Sequence, residues 1–261
     1  MWTAAYNGAM NNEALLSPPL PPSPILGPLS EEQIETYYRE GSIVVENLVP
    51  DTTADAVVAE AKKNAYAPGG GWTARIFEHD APEKDAALHR LLVEPSVVGA
   101  VEQIFEARAR IYYGMLAVVP ANGGKGLEWH QDNMYSTILG RALNVFIALC
   151  DITPDKAILW VAPQSHLKGV GESIIKDGHR VAPPPANGVP LPTLTKGSAC
   201  IFDRNTLHHS KRNETGEDRY AYAAQYAEEK ARAAYLHGKK DPKPMLAADL
   251  RARWNELVQT E

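Results

Sequence analysis

The sequence predicts a mainly β domain, an antiparallel sandwich or barrel with helices packed against its outside. Two observations carry this. From Arg110 onward, short apolar runs recur between turn residues: RIYYGMLAVVP, ALNVFIALCDI, AILWVAP, GSACIFD and RYAYAAQYAE. They are rich in β-branched and aromatic residues, which suit a pleated surface. Before Arg110, apolar residues fall mostly at helical spacing behind start signals. A chain of 261 residues can bury one sizeable core, so a single domain with appendages follows.

Residues 1 to about 28 carry Pro18, Pro19, Pro21, Pro22, Pro24 and Pro28, which exclude a helix and predict a mobile extension. Ser30 opens the first helix through a capping box. Its hydroxyl caps the Gln33 amide, and the Gln33 side chain reaches back. Ile34, Tyr37 and Tyr38 form the buried stripe, and Gly41 ends the helix. SIVVENLV reads as a strand. Asp51 then caps a second helix, DTTADAVVAEAKKNAY, with Ala56, Val57 and Ala61 set for packing. PGGGW is a loop, and PSVVGAVEQIF is a helix with proline at its first position. The β core spans about 109–227. AEEKARAAYLH and MLAADLRARWNELVQ predict C-terminal helices over about 227–258, which completes a single domain over 29–261.

Hydrophobic residues make up 44% and charged residues 22%, and the net charge is −6. With no long basic run, nucleic acid is not an expected partner. No apolar stretch reaches the length of a membrane span, and the first residues lack the pattern of a signal peptide. Cys150 and Cys200 lie far apart in apolar runs, so they read as buried thiols and not a disulfide. The expected location is cytoplasmic. The expected assembly is a monomer or homodimer acting on a small-molecule substrate.

The chemistry-bearing segment is E128-W129-H130-Q131-D132. His130 and Asp132 are two residues apart, and on an extended strand they face one way. One imidazole nitrogen and one carboxylate oxygen can then converge on one ion. A second histidine must come from elsewhere, and LHHSKRN offers His208 or His209. Two histidines and one carboxylate on one face of an ion leave three positions open, the facial triad of non-haem iron(II) oxygenases. Eleven residues past His208, Arg219 starts an apolar strand. A buried strand seldom begins with arginine unless an anion awaits it, and a guanidinium pairs bidentately with a carboxylate.

His130-Gln131-Asp132, His208-x-Ser210-x-x-Asn213 and Arg219 together resemble the phytanoyl-CoA dioxygenase-like branch of the 2-oxoglutarate oxygenases. The opening LSEEQIETYYREGSIVVENLVPDTTADAV, ALNVFIALCDIT and the turn Ala162-Pro163-Gln164-Ser165-His166 extend the resemblance over about residues 29–227. It implies a double-stranded β-helix, a cupin-type jelly roll flanked by helices. His130, Asp132 and His208 would hold iron(II), with His209 a neighbour and not a ligand. Arg219 and Ser210 would take the far carboxylate of the co-substrate 2-oxoglutarate. Dioxygen would be the oxidant, with ascorbate a supporting reductant in vitro. Because Asp132 is present, a halogenase is disfavoured. Many relatives have lysine where Val119 stands, before Pro120, and tryptophan where Phe146 stands.

Asn144 and Phe146 share one strand face by period two, and with Met115, Tyr113 and Trp129 they are candidate pocket walls. Gln225 shares the face of Arg219. Trp72 and Arg75 are candidates for a substrate lid. His166 reads as a structural donor, and His79, His89, His179 and His237 read as surface residues; Arg141 and Arg204 are either exposed arginines or greet an anionic substrate. Two other functions fit the same barrel. One is a zinc or manganese isomerase or hydrolase without 2-oxoglutarate, which needs no Arg219. The other is a silent binding module, which needs no intact ligand set.

Overall fold

The computed structural model describes residues 27–63, 73–77, 86–135, 137–233, 235–236, 239–240, 245–249 and 251–252. Helix α1 (Glu31–Glu40) starts at Ser30 with both halves of the capping box formed. It stops at Gly41, whose φ of 82° only glycine adopts easily and whose amide returns to the Tyr37 carbonyl. Tyr37 is buried, but Tyr38 is exposed and donates its hydroxyl to the Ile104 carbonyl. Strand β1 (Ser42–Val45) is shorter than expected, ending before Asn47 turns the chain at φ 52°.

Helix α2 (Asp51–Lys63) corrects two expectations. Asp51 is its first helical residue and not its cap, because the Pro50 carbonyl accepts from the Thr53 and Ala54 amides. The buried face is Thr53, Ala54, Val57 and Ala61, while Ala56 points to solvent. Strand β2 (Thr73–Phe77) and helix α3 (Ala86–Leu92) follow, then α4 (Pro95–Phe105) with Pro95 in its first turn.

The principal strands after α4 are β3 (Ala109–Val119), β4 (Ala142–Ala148), β5 (Leu159–Val161), β6 (Val189–Pro190), β7 (Ala199–Asp203), β8 (His208–Ser210), β9 (Arg219–Glu228) and β10 (Met245–Leu246). The large sheet is antiparallel in the order β1-β7-β4-β9-β3-β10, with β2 also paired to β3. A smaller sheet, β6-β5-β8, is extended by a bridge between His208 and His130.

Both faces of the large sheet are covered. Tyr220, Tyr222, Ala224 and Tyr226 of β9 pack with Leu88, Leu91, Val101 and Ile104 of the helices. On the other face, Ala221, Phe146 and Phe202 pack with Leu159 and Val161 of the small sheet. Burial on two faces is why these strands read as continuous apolar runs and not as alternations. It also leaves a narrow space between the sheets, where the site lies.

The first expected C-terminal helix does not form. Strand β9 runs to Glu228, Arg232–Ala233 pairs with Ile138–Leu139, and Tyr235–Leu236 pairs with Lys239–Lys240. Tertiary partners override the helical propensity of AEEKARAAYLH: Arg141 pairs with Glu228, and Arg110 Nε donates to the Glu229 carbonyl. Of the second, Met245–Leu246 pairs with β3 and residues 247–249 and 251–252 are helical; residues 253–258 lie outside the described residues, as does the extension up to residue 26. Cys150 and Cys200 are free thiols, the first half-buried and the second buried. Among the described residues, no helix is long and apolar enough to cross a membrane.

Candidate metal centre

His130 and His208 exchange backbone hydrogen bonds, each amide 3.0 Å from the other's carbonyl. Directly opposed residues send their side chains to one face, and the two rings lie 4.2 Å apart between centroids. Each Nδ1 sits against a backbone carbonyl two residues earlier, Glu128 at 2.7 Å for His130 and Thr206 at 2.9 Å for His208. A proton on Nδ1 satisfies that carbonyl and leaves the Nε2 lone pair free to coordinate. Gln131 between the ligand candidates is extended (φ −118°, ψ 141°), so Asp132 returns to the face of His130. Asp132 has already left the strand and opens a 3-10 turn, Asp132–Met134.

Both Nε2 atoms lie 3.9 Å from Asp132 Oδ1. One atom from each of His130, Asp132 and His208 can be chosen so that all lie within 4.8 Å of one another. The other carboxylate oxygen, Oδ2, accepts from Asn144 Nδ2 and, at 3.4 Å, from Gln225 Nε2. Two imidazole nitrogens and one carboxylate oxygen, with further positions open, suit a ferrous ion.

Burial and the neighbouring His208 push the His130 imidazole down to about 3, and burial with Lys211 pushes His209 down to about 4. Below pH about 6.5 the unfolded chain takes up protons that the folded chain refuses. Stability therefore falls as pH drops from about 6.5 toward these values. The metal-free protein is expected to melt at progressively lower temperature across that window in a calorimetric pH series. A flat profile would remove the argument that these rings are held neutral.

The three side chains open into a cavity of about 410 Å³ between the sheets. Its wall is largely apolar, with Met115, Ala117, Phe146, Leu159, Phe202 and Ala223. Arg219 and Ser210 line the same space. Arg219 is 2% exposed, and its Nε and Nη1 have no hydrogen-bond partner among the described residues. Its guanidinium lies 5.3 Å from the centre of the Phe146 ring, and burial lowers its pKa to about 10, so it stays charged at neutral pH. A buried cation with unmet donors is costly unless an anion binds there. Val119, opposite Arg219 in the β3–β9 register, is fully buried and lines no part of the cavity.

Of the other expected pocket residues, Asn144, Phe146 and Met115 line the cavity. Gln225 lies behind Asp132 and reaches the site only through it. Trp129 is turned away: one residue from His130 it takes the opposite face, stacking on His209 at 4.2 Å and packing on Gly188. Trp72 lies outside the described residues, as do the side chains of Arg75 and Tyr113 and all of His79 and His237. His166 is the structural donor expected, its Nε2 3.1 Å from the Tyr38 carbonyl. His89 and Arg204 are not surface residues; each is 1% exposed. Arg204 sits beneath the metal turn, with Nη2 3.1 Å from the Asp132 carbonyl and Nε 3.3 Å from Asn133 Oδ1. An arginine after a strand carries no local sign of such a contact.

Sequence reasoning also missed His179. It is exposed, yet it lines the cavity from a hairpin, Ile174–Lys176 with His179–Val181. Neighbours of the candidate ligands tether that hairpin. Gln131 holds the Gly169 carbonyl at 2.9 Å and the Gly171 amide at 2.7 Å. The Tyr135 hydroxyl meets the Arg180 carbonyl and amide, and the Trp129 carbonyl accepts from Ala182.

The model of the phytanoyl-CoA dioxygenase (PhyH) family matches residues 37–221, which takes in the smaller sheet, much of the large one and the three ligand candidates His130, Asp132 and His208. The chain belongs to the phytanoyl-CoA dioxygenase family. It is thereby an enzyme of the iron- and 2-oxoglutarate-dependent oxygenase class. Among its relatives, the ectoine dioxygenase of Bordetella parapertussis is 27% identical over 223 residues, covering 71% of each chain. The mouse phytanoyl-CoA dioxygenase domain-containing protein 1 is 25% identical, covering 76% of this chain and 83% of that protein. Among solved structures, the epimerase SnoN in complex with Fe3+, alpha ketoglutarate and nogalamycin RO superposes with a TM-score of 0.69 at 18% identity, over 83% of this chain and 98% of that one. EctD from S. alaskensis with 2-oxoglutarate and 5-hydroxyectoine gives 0.63 at 19% identity, over 84% and 87%. The likeness to these structures establishes the family fold, a double-stranded β-helix with flanking helices.

Proposed function

We propose that this family member holds iron(II) through His130 Nε2, Asp132 Oδ1 and His208 Nε2, and oxidises a C–H bond of a small, largely apolar molecule. One observation carries the reading. A convergent two-histidine, one-carboxylate set shares a cavity with a buried guanidinium whose Nε and Nη1 are unpartnered. Arg219, with Ser210, would take the far carboxylate of 2-oxoglutarate. Iron with this co-substrate and dioxygen supplies oxidative decarboxylation coupled to C–H oxidation.

The chain's own share is positioning and exclusion. The carbonyls of Glu128 and Thr206 hold the imidazoles in the ligating tautomer. Arg204 fixes the turn that presents Asp132. The apolar wall, from Met115 to Ala223, keeps bulk water from the reacting carbon. Asp132 occupies the place a halide would need, so oxygenation is favoured over halogenation.

The same wall supports a natural-product intermediate as substrate over a small polar osmolyte. Structural likeness to SnoN, whose complex contains nogalamycin RO, is in keeping with that choice. A zinc or manganese enzyme without 2-oxoglutarate would have no use for the unpaired Arg219, and a silent module none for three converged ligands.

Anaerobic titration with iron(II) and then 2-oxoglutarate tests the reading. A weak visible charge-transfer band is expected, and admission of air should produce succinate. Folded protein that yields no band and no succinate would sink it.

A further inference from the structure

Asn144 on β4 and Gln225 on β9 are register partners in the large sheet, so their side chains are neighbours on one face. Both are buried, at 3% and 1% exposure. Asp132 reaches them from the turn that follows His130. Both amides direct their NH2 groups at one atom, Asp132 Oδ2. Their own oxygens, Asn144 Oδ1 and Gln225 Oε1, are buried without partners among the described residues. Flipping either amide would set an amide oxygen against a carboxylate oxygen, so the donors face Asp132 even though two acceptors go unmet. The β3–β9 register shifts between Gln225 and Tyr226, and such irregularities re-aim the neighbouring side chain.

We propose that Asn144 and Gln225 are positioning residues, an amide clamp that occupies Asp132 Oδ2 so that the carboxylate offers only Oδ1 to a bound metal. The inference rests on the metal-centre reading above. Arg204 holds the Asp132 backbone carbonyl and the clamp holds Oδ2, which leaves Oδ1, 3.9 Å from each Nε2, as the free atom. A carboxylate able to turn could give both oxygens to the ion and take a coordination position that the co-substrate or oxidant requires. The clamp thus keeps the open face of the metal open.

The test uses the metal-free full chain and cobalt(II) as a spectroscopic probe. Asn144→Leu and Gln225→Met keep side-chain volume and remove the donors; Asn144→Ala stands in where the leucine variant does not fold. Each folded variant is expected to bind cobalt(II) about 10–100-fold more weakly than the unaltered chain. Its d–d absorption should also change in position and intensity as the carboxylate turns. Wild-type affinity and wild-type absorption in the folded variants would overturn the clamp. A lowered melting temperature of the metal-free variant, with the absorption of the bound fraction unchanged, would overturn it too, since that is a packing role only. Failure of the unaltered chain to give any cobalt band would instead overturn the metal centre itself, and the clamp with it.

Discussion

Asp132→Ala is expected to abolish tight iron(II) binding and to lower turnover by about 10³-fold or more, read as a loss of interactions needed at every step. His130 and His208 remain as imidazole donors, so the ligand set loses its one carboxylate and with it one coordinating atom. The substitution should also destabilise the metal-free fold. It strips the acceptor from two buried donors, Asn144 Nδ2 and Gln225 Nε2. Each unpaired buried donor costs about 1–3 kcal/mol. Metal content after dialysis, succinate yield and a thermal melt check the three parts separately. An alanine variant that retains stoichiometric iron would exclude Asp132 as a ligand.

Arg219→Met is expected to act in the opposite direction on stability. In the ligand-free protein the guanidinium is 2% exposed with two of its nitrogens unpartnered. Replacing a poorly compensated buried charge by an apolar side chain of similar length stabilises by about 1–4 kcal/mol. The variant should therefore melt higher than the unaltered chain when no 2-oxoglutarate is present. It should bind iron(II) nearly as well, because Arg219 stands apart from the three ligand candidates. It should require far more 2-oxoglutarate, about 10²-fold or more, because a desolvated charge-assisted pair is lost. Added 2-oxoglutarate should raise the melting temperature of the unaltered, metal-loaded chain and leave that of the variant nearly unchanged. Unaltered co-substrate affinity in Arg219→Met would mean that the anchor is another residue.

Local signals made a good part of this molecule legible. Ser30, Gln33 and Gly41 bracket α1 because caps and left-handed stops act over four residues. Pro95 opens α4 for the same kind of reason. The runs from Ile111 to Val119 and from Arg219 to Glu228 are legible as strands from their β-branched and aromatic content and the turn residues that bound them. His130 and Asp132 could be paired from a spacing of two because one extended residue, Gln131, lies between them.

Several of the errors fall where a partner lies far along the chain. AEEKARAAYLH has helical propensity, but Ile138–Leu139 supplies an edge that its Arg232–Ala233 can pair with. Arg204 looked exposed because nothing near it in sequence needs a guanidinium, whereas the Asp132 carbonyl, reached only after folding, does. Trp129, a candidate for the pocket wall, packs instead on His209, 80 residues along the chain.

Residue types and short spacings thus pointed on their own to a β core, to His130, Asp132 and His208 as a group that could hold a metal, and to a buried Arg219. Folding settled which oxygen of Asp132 is free, what covers the cavity and which side chains wall it. Those outcomes depend on contacts between segments such as 130–135, 144, 179 and 219–225, and the pairing of β4, β8 and β9 brings such segments together at a cost in loop entropy that no local pattern records.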